Sequence, residues 1–100
     1  MYRATTPTHT FILPFDYAQM VNKCLVTYSQ GGRIVLEKTQ DDISATGNTI
    51  TIKLTQEETK KFSAYLRCNI QIRIITSAGD SIVSEELYVS VLDVLNDVVL

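Results

Sequence analysis

Apolar and polar residues alternate most cleanly between Asn48 and Thr76. Leu66, Cys68, Ile70, Ile72 and Ile74 share one parity, and Arg67, Asn69, Gln71 and Arg73 share the other. A period of two turns successive side chains to opposite faces, so this run predicts a long strand with one wet face. Ile50, Ile52 and Leu54 repeat the pattern against Thr49, Thr51 and Lys53. Between the two strands lies Thr55-Gln56-Glu57-Glu58, a capping box in which Thr55 and Glu58 satisfy each other's backbone amides. The acids also suit the positive end of a helix. The spacing predicts a short helical turn over residues 56–62, with Phe62 directed into the core. A strand, a short helical crossover and a second strand would link two stacked sheets.

The remaining chain reads the same way. Thr8–Leu13 predicts an edge strand, bounded by Pro7 and Pro14. Asp16 is placed to cap one helical turn over Tyr17–Gln19. Val21–Gln30 predicts a second strand, and Gly31-Gly32 a tight hairpin into Arg33–Lys38, with Ile34 and Leu36 on one face. Asp42–Ala45 predicts a short edge strand, and Thr46-Gly47-Asn48 a turn. Ser77-Ala78-Gly79-Asp80 predicts another hairpin, into a last strand over Ser81–Leu92. In that strand Val83, Leu87, Val89 and Val91 share a face but Glu85 sits among them, so a bulge near Ser84-Glu85 is expected. Residues 1–7 read as a frayed polar lead-in. About seven short alternating strands in one chain predict an all-β, immunoglobulin-like β-sandwich, a single domain over residues 1–100. A small barrel is the alternative. The chain has no tryptophan, and Leu66 rather than a tyrosine stands two residues before Cys68, so any likeness to antibody domains is architectural.

Composition narrows the function classes. A net charge of −2 lacks the basic stripe that a nucleic-acid surface needs. No apolar run reaches the length of a membrane span, and no charged and apolar leader opens the chain. Expression in a cytoplasm is expected, with Cys24 and Cys68 as buried free thiols and a disulfide between them as the alternative. Two cysteines without further ligands do not close a zinc site. His9, the single histidine, is expected at the surface. Glu57-Glu58 is explained by capping, Glu85 and Glu86 point to opposite faces, and Asp41-Asp42 reads as a solvated turn. No nucleophile elbow, phosphate loop or metal signature is present, so no catalytic residue, cofactor or metal is expected, and the chain is not read as an enzyme.

Three segments carry a family resemblance: Thr10–Asp16 (TFILPFD), Val26–Gly32 (VTYSQGG) and Ile52–Thr59 (IKLTQEET). Together they resemble a family of small proteins encoded by phages and prophages of Gram-positive bacteria. The likeness runs over residues 8–92. It implies an architecture similar to immunoglobulin-like tail and baseplate domains, and a structural or assembly role in a virion or in the host cytoplasm. The implied partners are other phage structural proteins or further copies of the chain. A free-standing module that recognises a protein or carbohydrate is the competing expectation.

The end of the chain is the strongest candidate for contact. Val94, Leu95, Val98, Val99 and Leu100 make residues 93–100 strongly apolar. Such a segment either folds back on the sandwich or meets another chain.

Overall fold

A computed structural model describes all residues, Met1–Leu100. Eight strand segments and two short helices follow in order. They are β1 (Thr8–Ile12), α1 (Tyr17–Met20), β2 (Val21–Gln30), β3 (Arg33–Thr39), β4 (Ser44–Thr46), β5 (Thr49–Lys53), α2 (Gln56–Lys60), β6 (Cys68–Thr76), β7 (Ser81–Val83) and β8 (Leu87–Val89). One sheet runs β1-β5-β4, and the other runs β3-β2-β6 with β7 and β8 both on the far side of β6. A three-stranded antiparallel sheet facing a longer one, with β1 paired to β5 and β2 paired to β6 across long separations in sequence, is the immunoglobulin-like sandwich arrangement. The fold is therefore an all-β, immunoglobulin-like β-sandwich.

The core lies between the sheets. Ile50, Ile52 and Leu54 from the first meet Val26, Tyr28, Ile70, Ile72 and Ile74 from the second, and all are buried. The crossover from β5 to β6 forms as the capping box requires. Glu58 N–H donates to Thr55 Oγ1 at 3.1 Å, and Thr55 N–H donates to Glu58 Oε1 at 2.9 Å. The helix is shorter than expected, ending at Lys60, yet Phe62 still reaches the core and meets Tyr28 edge to face at 6.0 Å. Asp16 caps α1 as expected. Gly31 and Gly32 both take positive φ, 55° and 79°, which is what a two-residue hairpin with the strand twist demands.

Several expectations fail for local reasons. Ile34 and Leu36 do not share a face: Tyr28 pairs with Leu36 but Ser29 pairs with Ile34, so Val35 is an extra residue. The bulge turns Ile34 out to 61% exposure and leaves Leu36 buried. Leu66 is exposed, because β6 begins only at Cys68. The loop before it is held by the buried Gln30 amide, which donates to Ser63 O (2.9 Å) and Leu66 O (2.8 Å) and accepts from Ser63 N–H (2.7 Å). The last strand is not one bulged strand over Ser81–Leu92. It breaks into β7 and β8, leaving Val83 and Leu87 exposed while Val91 is buried. The gap at residues 84–86 is bridged by Ser84, whose N–H donates to Ile72 O and whose Oγ accepts from Ile72 N–H. Residues 1–7 are not frayed: Tyr2 bridges Leu92 in parallel, and Arg3 donates to Phe62 O and Lys60 O.

Three substitutions check this layout. Ile72→Ala should cost about 2–5 kcal/mol and Ile34→Ala less than about 0.5 kcal/mol in chemical denaturation. Thr55→Ala should cost on the order of 1 kcal/mol. Comparable losses at Ile34 and Ile72 would mean that the bulge at Val35 is misplaced.

Candidate interaction surface

The final segment is held by polar contacts and leaves its apolar side chains outside. Leu92 N–H donates to Met1 O (2.8 Å), and Arg3 N–H donates to Leu92 O (2.9 Å). The Arg3 guanidinium reaches Asp93 at 2.8 Å and Asp97 at 3.6 Å. Gln56 closes the segment from the start of α2: its Oε1 accepts from Leu100 N–H (2.8 Å) and its Nε2 donates to Leu100 O (3.3 Å). So the backbone folds back along the α2 end of the sandwich. Of the five apolar residues singled out there, Val94 is half-buried, whereas Leu95, Val98, Val99 and Leu100 are exposed, Leu95 and Leu100 completely. The structure thus combines both readings of the segment, a folded-back backbone and an uncovered apolar surface.

The remaining candidates sit apart from it. His9 is half-buried rather than on the surface. Its Nδ1 lies 2.8 Å from the hydroxyl of the buried Tyr28, and the ring centroids are 5.6 Å apart with the planes tilted by 31°. Burial, with a smaller push from the chain's ammonium group, lowers the His9 pKa from 6.5. Cys24 and Cys68 are buried free thiols. Both lie in the same sheet: Cys24 faces Ile74, six residues from Cys68 along β6, or about 20 Å at the rise of a strand. A disulfide needs Cα atoms less than about 7 Å apart, so these two cannot pair. Burial pushes the Cys68 thiol up to about 11 and raises Cys24 as well. Asp42 caps Thr39 N–H at 2.9 Å at the start of a single 3-10 turn (Gln40–Asp42). Glu85 and Glu86 lie in the break between β7 and β8.

One pairing was not legible in the sequence. Lys38 alternates with Leu36 and points inward, where its ammonium group meets Glu58 across the sandwich. Burial raises the Glu58 pKa, but the hydrogen bonds from Lys38 and Thr55 outweigh it and hold the carboxyl below 4.5. The spacing of Thr55 and Glu58 announced the cap, and nothing local announced a partner twenty residues away.

No protein-family profile matches the chain, and no curated protein matches it. Among solved structures, the V domain of amphioxus IgVJ-C2 aligns over 91% of this chain and 96% of that one, at 11% identity and a TM-score of 0.37. The strand order itself defines the sandwich.

The His9 environment sets a pH dependence. A histidine whose folded pKa is depressed stabilises the fold above its unfolded value of 6.5, and that contribution is lost as pH falls through the folded value. Asp42 and Glu58, also depressed, begin to contribute losses only below 3.8 and 4.5. The melting temperature should therefore decline between pH 6.5 and pH 5, and His9→Gln should flatten that part of the curve. An unchanged slope in the variant would show that another group titrates there.

Proposed function

We propose that this chain is a non-enzymatic, immunoglobulin-like binding module that joins proteins through the apolar segment Leu92–Leu100, within the tail or baseplate of a phage or prophage particle. One observation carries the contact: the segment's backbone is tethered while Leu95, Val98 and Leu100 remain in water. Covering a side chain of that size is worth roughly 1.5–3 kcal/mol. The exposed Gln56 tether is worth about 1 kcal/mol, and the half-buried contact of Arg3 with Asp93 about 1.5–3 kcal/mol. A partner that covers the segment therefore gains more than release of the tethers costs. The phage setting is supported by the sequence resemblance at residues 10–16, 26–32 and 52–59. The partners would be other structural proteins of the particle or further copies of this chain, met in the virion or in the host cytoplasm.

A carbohydrate-binding reading is weaker. Sugar sites use open aromatic faces, and the exposed ring of Tyr88 is covered by the Arg67 guanidinium at 4.1 Å. Tyr2 and Tyr65 are also exposed, but they lie on different segments at the α2 end.

The test is a chain that ends at Leu92. It should remain folded, melt within a few degrees of the parent, and lose association measured by light scattering. Unfolding on truncation would place residues 93–100 in the core and remove the proposed contact.

A further inference from the structure

The two sheets do not meet along the side bounded by β1 and β7. An antiparallel strand bonds its neighbour through alternate residues. On β1 the bonded parity is fixed by Leu54 N–H donating to Pro7 O (3.0 Å) and Leu13 N–H donating to Asn48 O (2.7 Å). Thr8, Thr10 and Ile12 accordingly turn their N–H and C=O groups away from β5, to an open edge. On the other wall, Ser84 N–H donates to Ile72 O and Thr76 N–H donates to Asp80 O, both at 2.8 Å. Ser81 and Val83 therefore point their backbone groups outward too. Between the two edges lies an apolar cavity of about 130 Å³ that reaches the core, lined chiefly by Leu13, Phe15, Ile72, Ile74, Ile82 and Val83. Towards the α2 end the same side is closed by the lead-in, where Tyr2 pairs with Leu92. Further up, no strand fills it.

We infer that this groove accepts an added β-strand, and that the strand is the segment Val94–Leu100 of a second copy. The inference rests on the binding role proposed above and names the partner and the acceptor. Added strands gain affinity from main-chain hydrogen bonds and specificity from alternate side chains. The donor has a usable pattern: in an extended conformation Val94, Asn96, Val98 and Leu100 share one face, and three of those four are aliphatic. Charge agrees with it. The donor carries Asp97, with Asp93 just before it, both of which Arg3 of the same chain would release, while Lys53, opposite Thr8, and Arg73, opposite Val83, flank the two edges with no ion-pair partner. A chain does not fill its own groove, because Gln56 holds Leu100 at the Pro7 end of β1, whereas the cavity lies beyond its Ile12 end. The contact is then heterologous, head to tail, and builds a ring or a filament according to the rotation between copies.

Complementation between two full-length variants tests this. Thr10→Pro removes an outward N–H that the fold does not use, and so blocks the acceptor. Val98→Asp places a charge on the donor face. Val83→Glu, at a site 58% exposed, blocks the groove without touching β1 and serves if Thr10→Pro does not fold. Sedimentation velocity of the parent should show assembly that grows with concentration. Each variant alone should be monomeric, and an equimolar mixture of a blocked-acceptor variant with Val98→Asp should give a heterodimer that grows no further. A parent that stays monomeric overturns the inference, as does a mixture that stays monomeric. If Val98→Asp abolishes assembly while Thr10→Pro and Val83→Glu leave it intact, the acceptor is elsewhere and only the binding role survives. Assembly unchanged by Val98→Asp removes both.

Discussion

The pairing of β2 with β6 is the constraint on which the rest of the molecule depends. It aligns Cys24 with Ile74, Val26 with Ile72 and Tyr28 with Ile70, so both inward rows face the same interior. The strands are far apart in sequence, so this contact closes a long loop before any reward from burial arrives. Once it forms, β3 follows through a two-glycine hairpin, and β7 and β8 add to the free edge of β6. A one-residue slip would turn Ile70, Ile72 and Ile74 outward. Tyr28 extends the pairing into the other sheet, because its ring meets Phe62 and its hydroxyl meets His9.

Buried and half-buried polar groups then decide how the irregular segments sit. Gln30, Thr59 and the Lys38–Glu58 pair each bind a segment with little apolar anchorage of its own. Gln30 holds the approach to β6, and Thr59 Oγ1 accepts from Thr5 N–H (3.1 Å) and lies 2.9 Å from Thr5 O, pinning the lead-in to α2. Lys38 ties β3 to the crossover. Leaving a buried polar partner unmatched costs more than the bond itself contributes, so these contacts act as locks on position. Arg3 belongs to the same set and carries the consequence outward, since it positions the final segment whose apolar side chains remain uncovered.

The uncovered segment and the open β1 edge are complementary liabilities. An isolated edge strand with free amides invites another chain, and an exposed apolar run is disfavoured by water. Proteins that function alone commonly blunt such features with charge, proline or a covering loop. Here Pro7 and Pro14 bracket β1, yet Thr8, Thr10 and Ile12 present an unblocked row.

Period-two alternation, two glycines in sequence and a capping box were sufficient to determine β1, β2, β3, β5 and β6, the β2–β3 hairpin and the β5–β6 crossover. Those signals are local: each depends on residues a few positions apart, whose geometry is set by backbone sterics and neighbouring hydrogen bonds. They also determined that Ile50, Ile52, Phe62, Ile70, Ile72 and Ile74 would share a core. What only the tertiary structure decided depends on contacts across long separations. The bulge that exposes Ile34 comes from the register against β2. The break between β7 and β8 comes from Ser84 bonding Ile72. The half-burial of His9 comes from Tyr28, the inward Lys38 from Glu58, and the separation of the two thiols from both strands lying in one sheet. The final segment shows the division most plainly. Its hydrophobicity is written in the sequence, but whether those side chains face the core or the solvent was decided by Arg3 and Gln56, which hold its backbone in place and leave its apolar side unmatched.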